Sequence, residues 1–556
     1  MDILGKALDK AFWETVRDSE DYARFVETHK SIYEMRSEKP LEALRYSDFK
    51  KFYTVGTRGE YESPYFARRH LMAAAAILAL VYPENGEYLD TLMDTVYAIC
   101  DEYTWCVPAH QGQLEPNNNC RIDLFASETG FALAEIYKVL EDRLEPLIKN
   151  RIAAELDRRI VKPFTSVENY GWWENGKSNW TAVCMTSVAG VIMHMKPHLM
   201  TEELIARINR AMDSYLSGFE SDGICTEGCA YWDYGFGLFT VYADMIYRFT
   251  DGRINYFENA KVRSVATFMQ KMYLSGKTVV SFSDCGKISH YHAGLVHRLK
   301  KEYPEDVALF NPEYAIIRSN CTRFCLEVRA YTWFEPEYFK AYEPSEVNEE
   351  YYADVSQWFV KKTAAYGFAA KGGHNGEMHN HNDVGTFIFA KDGRQVLCDL
   401  GPGAYTRQYF SGERYTVLEA ASFGHSVPII GGKHQKAGAA YSSKNTSVNS
   451  GVFVTDIAGA YGDEAVKSIV RSFECTPDSV TLNDKFSVTG AIVERFVTLI
   501  EPKVSEGRIE LEEVTLTYGK TLGSCTVSTA PSGRSAVYLI DIALNEGVTE
   551  FTLNVK

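Results

Sequence analysis

The chain has 556 residues, 46% apolar and 24% charged, a globular composition that excludes a disordered chain, and its formal charge of −16 argues against a nucleic-acid surface. Its start, MDILGKALDKAFWETVRDSEDYARF, lacks the basic region, apolar core and cleavage site of a signal peptide, so a cytoplasmic protein is expected. Twelve scattered cysteines fit a reduced compartment rather than a disulfide framework, and the longest apolar run, LMAAAAILALVY, is too short to cross a bilayer and reads as a buried helix.

In chain order, apolar residues recur at i, i+3 and i+4 over Phe66–Tyr82, Tyr88–Cys100, Leu124–Leu140, Leu144–Val161, Trp180–Met195, Thr201–Leu216, Tyr234–Phe249 and Ala260–Tyr273, which predicts helices. Short polar loops between them predict antiparallel hairpins, as a bundle or as a ring of helix pairs. From about Pro312 the pattern alternates, in EYAIIRSNCTRFCLEVRAYTW, TAAYGFAAKGG, VGTFIFAKDGRQVLCDLG, VKSIVRSFECT and SVTLNDKFSVTGAIVERFVTLI, with turns such as Lys391-Asp392-Gly393-Arg394 between runs. The expectation is therefore an α+β multidomain chain, helical over residues 1–300 and antiparallel β over 301–556, with a boundary between Tyr273 and Pro312.

The stretch GGHNGEMHNHNDVGTF, Gly372–Phe387, crowds three histidines, three asparagines, a Glu and an Asp ahead of an expected half-buried strand. His379, His381 and Asp383 are two apart and would share one face of an extended chain. Metal binding, proton transfer and a plain surface turn all remain open on these residues alone. Asn179 in KSNW suits the N-cap of a helix. Tyr231 and Tyr234, in DGICTEGCAYWDYGFG, sit beside Glu227 and Gly228 at a helix entrance. His290 and His292 with Asp284 form a second, weaker ligand set, and Glu128, Glu227 and Asp233 are carboxylates of the kind a glycoside hydrolase needs in pairs.

Taken together, KSNWTAVC, DGICTEGCAYWDYGFG, HNHND, VLCDLGPGAY and ASFGHSVPIIGGKHQ resemble, in this order, the heparinase II/III-like polysaccharide lyases over about residues 90 to 440. Several members of that family carry HN where this chain has His425-Ser426. The resemblance implies an N-terminal incomplete (α/α) toroid followed by a C-terminal antiparallel β-sandwich, and β-elimination of a uronate-containing polysaccharide. It implies catalytic roles for Asn179, which would neutralise the uronate carboxylate, for Tyr231 as acid and syn base, and for His379 as base toward the opposite epimer. His381, Asp399 and His425 match the family's metal ligands, which suits a structural Zn²⁺, with Mn²⁺ also compatible. Asp383 would be a further ligand or a partner of His381. His110 resembles a cleft-facing family position, and Trp180 and Trp232 adjoin the catalytic candidates. With Tyr234 as the fallback acid, and Tyr405 and Arg407 after the GPGAY turn, these complete the expected substrate contacts.

The expected partner is an acidic polysaccharide or oligosaccharide, with no nucleic acid and no membrane. Glycosaminoglycans (heparan sulfate or heparin, hyaluronan, chondroitin sulfate) come first. Alginate or another polyuronate is the alternative, and a toroid glycoside hydrolase the competing class.

Overall fold

A computed structural model describes residues 3–111, 119–317, 323–344, 348–519, 523–533, 535–545 and 548–555. Two compact units emerge, each assembled from three stretches of chain. One comprises Met1–Gly218, Asp233–Arg263 and Tyr291–Tyr342; the other comprises Phe219–Trp232, Ser264–His290 and Glu343–Lys556. Where the sequence pattern divides the chain once, near residue 300, the fold interleaves it.

The first unit is an incomplete (α/α) toroid of helix pairs. Helix Gly59–Val81 carries the long apolar run, and Leu71 through Val81 are all buried, as the run implied. Helix Leu124–Val139 packs against Asn179–Met195, and the approach is close enough to require glycine: a Cβ on Gly190 would stand 2.2 Å from the Phe131 ring. The expected helix Leu144–Val161 is helix Pro146–Leu156 running into a π-helical turn, Asp157–Val161. The last expected helix breaks into Ala260–Ala266 and Phe268–Met272.

One segment departs from its expected class. The alternation in EYAIIRSNCTRFCLEVRAYTW predicts β, yet among its described residues stand the end of a 3-10 turn, Pro312–Tyr314, the two-residue strand Ala315–Ile316 and then helix Phe324–Thr332; residues 318–322 lie outside the described residues. The alternation came from Glu327 and Arg329, which look like solvent positions. Both are buried ions with partners: Glu327 Oε2 lies 3.2 Å from His29 Nε2, and Arg329 Nη1 donates to Glu135 Oε1 at 2.7 Å. A helix buried on every side carries no amphipathic signature.

The second unit is an antiparallel β-sandwich. An eight-stranded sheet runs from Lys444–Asn449 at one edge to Lys503–Ser505 at the other, beside sheets of five and four strands. Its core interleaves Phe368, Phe387 and Phe389 of the five-stranded sheet with Phe453, Phe473 and Phe551 of the eight-stranded one and Phe496 and Ile540 of the four-stranded one. Strand Phe387–Lys391, expected to be half-buried, is buried on both faces, Ile388 and Ala390 included. Its N-terminal end receives the histidine-rich loop.

Candidate active site

The site in the second unit is built from four segments. Tyr231 closes a short helical turn, Cys229–Tyr231, entered through Gly228 at φ +96°, where a Cβ would stand 2.5 Å from Cys285 Cβ. A π-helical turn, Trp232–Phe236, follows, a device that re-aims side chains and recurs at functional sites. Asp284 lies just beyond the hairpin Tyr273–Ser275/Thr278–Val279. The loop before strand Phe387–Lys391 brings His379 and His381, and the loop after Asp399 brings Tyr405, Tyr409 and Arg414.

His379 holds a left-handed backbone at φ +54°, uncommon outside glycine and a marker of a functional constraint. Its ring stacks on Tyr231, centroids 4.3 Å apart, and its Nδ1 is 2.7 Å from Asp284 Oδ2 and 3.4 Å from the Tyr231 hydroxyl. With Nδ1–H donated to Asp284, the neutral ring keeps its lone pair on Nε2, which lies 3.7 Å from Glu227 Oε2. Tyr231 and Tyr405 share a phenol–phenol hydrogen bond of 2.8 Å. Burial, reinforced by Tyr405, Asp284 and Glu227, pushes the Tyr231 phenol well above its ordinary value. It therefore carries a proton at neutral pH, as a general acid must.

Asp284, its side chain fully buried, gathers five donors. Oδ2 accepts from His379 and from the Tyr405 hydroxyl at 3.3 Å. Oδ1 accepts from His381 Nε2 at 3.1 Å, from Arg414 Nη2 at 2.9 Å and from the Tyr409 hydroxyl. Burial opposes its ionisation, but the hydrogen bonds from the two histidines prevail and hold its carboxyl far below the usual range.

Behind this cluster, one ligand atom each of His381, Asp399 and His425 lies within 4.8 Å of the others, and all three residues are fully buried. The rest of each side chain is committed: His381 Nε2 to Asp284, Asp399 Oδ1 to the Gly401 N–H at 2.8 Å, and His425 Nε2 to the Glu419 carbonyl at 3.0 Å. What remains, His381 Nδ1, Asp399 Oδ2 and His425 Nδ1, has no hydrogen-bond partner among the described residues. His425 Nδ1 and Asp399 Oδ2 lie 3.2 Å apart, so they can pair with each other or share a cation with His381, and two imidazoles with a carboxylate suit Zn²⁺. Ser426, the family departure, is buried and its hydroxyl accepts the Val497 N–H at 3.1 Å, which pins the His425 loop to the sheet. Asp383 accepts from Lys371 Nζ at 3.0 Å through Oδ1, so it supports the loop through a buried ion pair.

The toroid unit holds the other candidates. Asn179 is the first residue of its helix, Ser178 occupies the N-cap position, and no side-chain cap bond forms. The Asn179 amide, on a residue 4% exposed, makes no hydrogen bond among the described residues. Next to it in sequence, Trp180 meets the His110 ring edge-on at 4.7 Å and Trp172, 59% exposed, at 5.1 Å. Asp123, which caps helix Leu124–Val139, orients His110 through Nδ1 at 2.7 Å. Tyr234 lies under the Arg323 guanidinium, 3.6 Å from its ring, and Arg323 is ion-paired with Glu128.

Several expected contacts fall elsewhere. Trp232 is 1% exposed and spends its indole N–H on the Val265 carbonyl, so it is a core residue and no platform for a sugar. The Tyr405 hydroxyl is committed to Tyr231 and Asp284. Arg407 stands exposed, and Arg414, seven residues on, is the arginine that reaches the cluster. His292 bonds the Ile317 carbonyl at 3.0 Å, and burial pushes its ring down to about 4. Asp284, Tyr409 and Arg414 carry no local signal: Asp284 is 95 residues from His379, and nothing in SFSDCG marks it.

No protein-family model and no curated protein matches this sequence. Solved structures do share its fold. A heparinase III superposes with a TM-score of 0.58 at 12% identity, covering 95% of this chain and 84% of its own. A mutant heparan sulfate lyase from Pedobacter heparinus gives 0.57 at 9% identity, over 97% and 92%. A chondroitin AC lyase from Streptomyces coelicolor A3, in complex with chondroitin sulphate, gives 0.55 at 9%, over 98% and 82%. The toroid-plus-sandwich fold is thus common to all three.

Proposed function

We propose that this protein is a polysaccharide lyase that cleaves uronate-containing polysaccharides by β-elimination, with glycosaminoglycans as the first substrate class and alginate or another polyuronate as the alternative. The observation that carries this reading is the stacked Tyr231–His379 pair: a phenol that retains its proton beside an imidazole whose Nδ1 is held 2.7 Å from the Asp284 carboxylate, the contact that assigns the lone pair to Nε2. The fold shared with a heparinase III, a heparan sulfate lyase and a chondroitin AC lyase supports it.

In this reading the C5–H bond of the uronate breaks and its proton passes to His379 Nε2. The C4–C5 double bond forms, the C4–O bond breaks, and Tyr231 gives its proton to the departing oxygen. Each positioned proton-transfer group contributes about 10²–10⁴-fold. Asn179 supplies an uncharged donor to the carboxylate, where charge develops as C5 is deprotonated. Trp180, Trp172 and His110 form an aromatic face suited to a sugar ring.

His381, Asp399 and His425 would hold a divalent cation, Zn²⁺ before Mn²⁺. When bound, that ion supplies a fixed positive centre that locks the two loops together. The proton transfers are left to Tyr231 and His379.

The test is absorbance of the unsaturated uronate product in the near ultraviolet, on heparan sulfate, hyaluronan, chondroitin sulfate and alginate separately, with Tyr231→Phe as control. A rise that the variant loses supports β-elimination and names the substrate. New reducing ends without absorbance would overturn the reading in favour of hydrolysis.

A further inference from the structure

The two histidines of HNH have different tasks in the reading above, yet both lean on one carboxylate. Asp284 Oδ2 takes His379 Nδ1 at 2.7 Å, and Oδ1 takes His381 Nε2 at 3.1 Å. Neutral imidazole has one N–H and one lone pair, so a partner that can only accept decides which nitrogen carries the proton. An ionised carboxylate with two accepting oxygens makes that decision twice. At His379 it leaves Nε2 as the basic nitrogen, 3.7 Å from Glu227 Oε2; at His381 it leaves Nδ1, the atom with no hydrogen-bond partner among the described residues, on a residue grouped with Asp399 and His425.

We propose that Asp284 is a positioning residue that sets both tautomers, readying His379 for proton transfer through Oδ2 and His381 for metal binding through Oδ1. The assignment rests on the lyase reading for what His379 does, but not for which nitrogen is protonated. The two oxygens are unequally loaded. Oδ1 also receives Arg414 Nη2 at 2.9 Å and the Tyr409 hydroxyl, whereas among the described residues Oδ2 receives only the Tyr405 hydroxyl besides His379.

That asymmetry makes a sharp test. In Asp284→Asn the carboxamide has one accepting oxygen, and Arg414, Tyr409 and His381, three donors, hold it at the Oδ1 side. The NH₂ group then faces His379 Nδ1, and a donor facing a donor forces the proton onto Nε2. Turnover should fall about 10²-fold or more with little change in KM, while zinc affinity, read by competition with a chelator, stays within about threefold of wild type. Asp284→Ala removes both acceptors and should also weaken zinc about 10–100-fold.

The tautomer itself is read by nitrogen-15 NMR of histidine-labelled full-length protein, with His379 assigned by His379→Gln. Wild type should show His379 protonated at Nδ1, and Asp284→Asn at Nε2. An unchanged His379 tautomer in Asp284→Asn, or unchanged zinc affinity in Asp284→Ala, overturns the proposal. Should Asp284→Ala fail to fold, the near-isosteric Asp284→Asn decides by the NMR reading alone. Neither NMR nor zinc competition needs substrate, so a wild type without β-elimination would refute the lyase reading and leave this assignment standing on its own two measurements.

Discussion

The Tyr231 hydroxyl lies 2.8 Å from the Tyr405 hydroxyl and 3.4 Å from His379 Nδ1, so the candidate acid is held between a second phenol and the candidate base. Tyr405→Phe keeps the ring and drops both hydroxyl bonds, to Tyr231 and to Asp284. Each lost hydrogen bond is worth about 0.5–1.5 kcal/mol, so turnover should fall by roughly tenfold or more with KM nearly unchanged, against complete loss for Tyr231→Phe. Steady-state kinetics on whichever polymer is cleaved checks this; equal losses in both variants would place Tyr405 in the proton transfer itself.

Asn179 offers a clean separation of two roles. Ser178 is at the N-cap and Asn179 makes no capping bond, so Asn179→Ala should leave the thermal midpoint close to wild type, where loss of a true N-cap would cost about 1 kcal/mol. Turnover should nonetheless fall about 10²-fold or more, the scale for loss of a donor to developing charge. A lowered midpoint with intact turnover would return Asn179 to a purely structural role.

The metal triad predicts about one equivalent of zinc per chain by elemental analysis, lost in His425→Ala. Because the ion binds the folded chain and not the unfolded one, adding a chelator should lower the thermal midpoint of wild type and leave that of His425→Ala unmoved.

Arg471 reaches the same loops from the sheet. It pairs with Asp484 at 2.7 Å and with Glu494, and its Nη1 donates at 2.9 Å to the carbonyls of both Gly385 and Ser426, next to the two histidine loops. Arg471→Met strands two buried carboxylates and should cost about 3–5 kcal/mol in denaturant unfolding, with zinc retention lowered alongside. A stable variant with full zinc would break the link between this clamp and the triad.

The toroid carries an acid-sensitive element. His297 Nδ1 accepts the Glu335 N–H at 3.0 Å, and burial holds the ring's value down to about 4 against 6.5 when unfolded. The unfolded chain therefore binds this proton first. The stability contribution is complete above pH 6.5 and drains away as pH falls toward 4, by up to about 3 kcal/mol. His297→Asn, which keeps an acceptor without a titration, should show a smaller fall in midpoint between pH 7.5 and pH 5.

Sequence pattern conveyed the helical unit and the β unit because each has a local signature, a 3.6-residue period and alternation between turns, whereas His381, Asp399 and His425, far apart in the chain, were brought together only by the family resemblance. It failed where polarity is buried. Glu327 and Arg329 mimicked a strand's solvent face, and Trp232 next to Tyr231 suggested a sugar platform although its ring belongs to the core. Asp284, the carboxylate that organises the cluster, was grouped with His290 and His292 because short-range spacing is all that a single chain displays. Its true partners are brought to it only by folding.

The interleaving of the two units bears on how such a protein can be cut, shuffled or inherited. Tyr231, Glu227 and Asp284 are encoded upstream of residue 300 yet belong to the β unit, through Phe219–Trp232 and Ser264–His290. A fragment beginning at residue 301 would retain His379, His381, His425 and Asp399 and lose Tyr231, the candidate acid, and Asp284, the carboxylate that His379 and His381 contact. The helical and β portions are thus not interchangeable cassettes, and recombination that preserves the chemistry must carry these two upstream segments along with the sandwich.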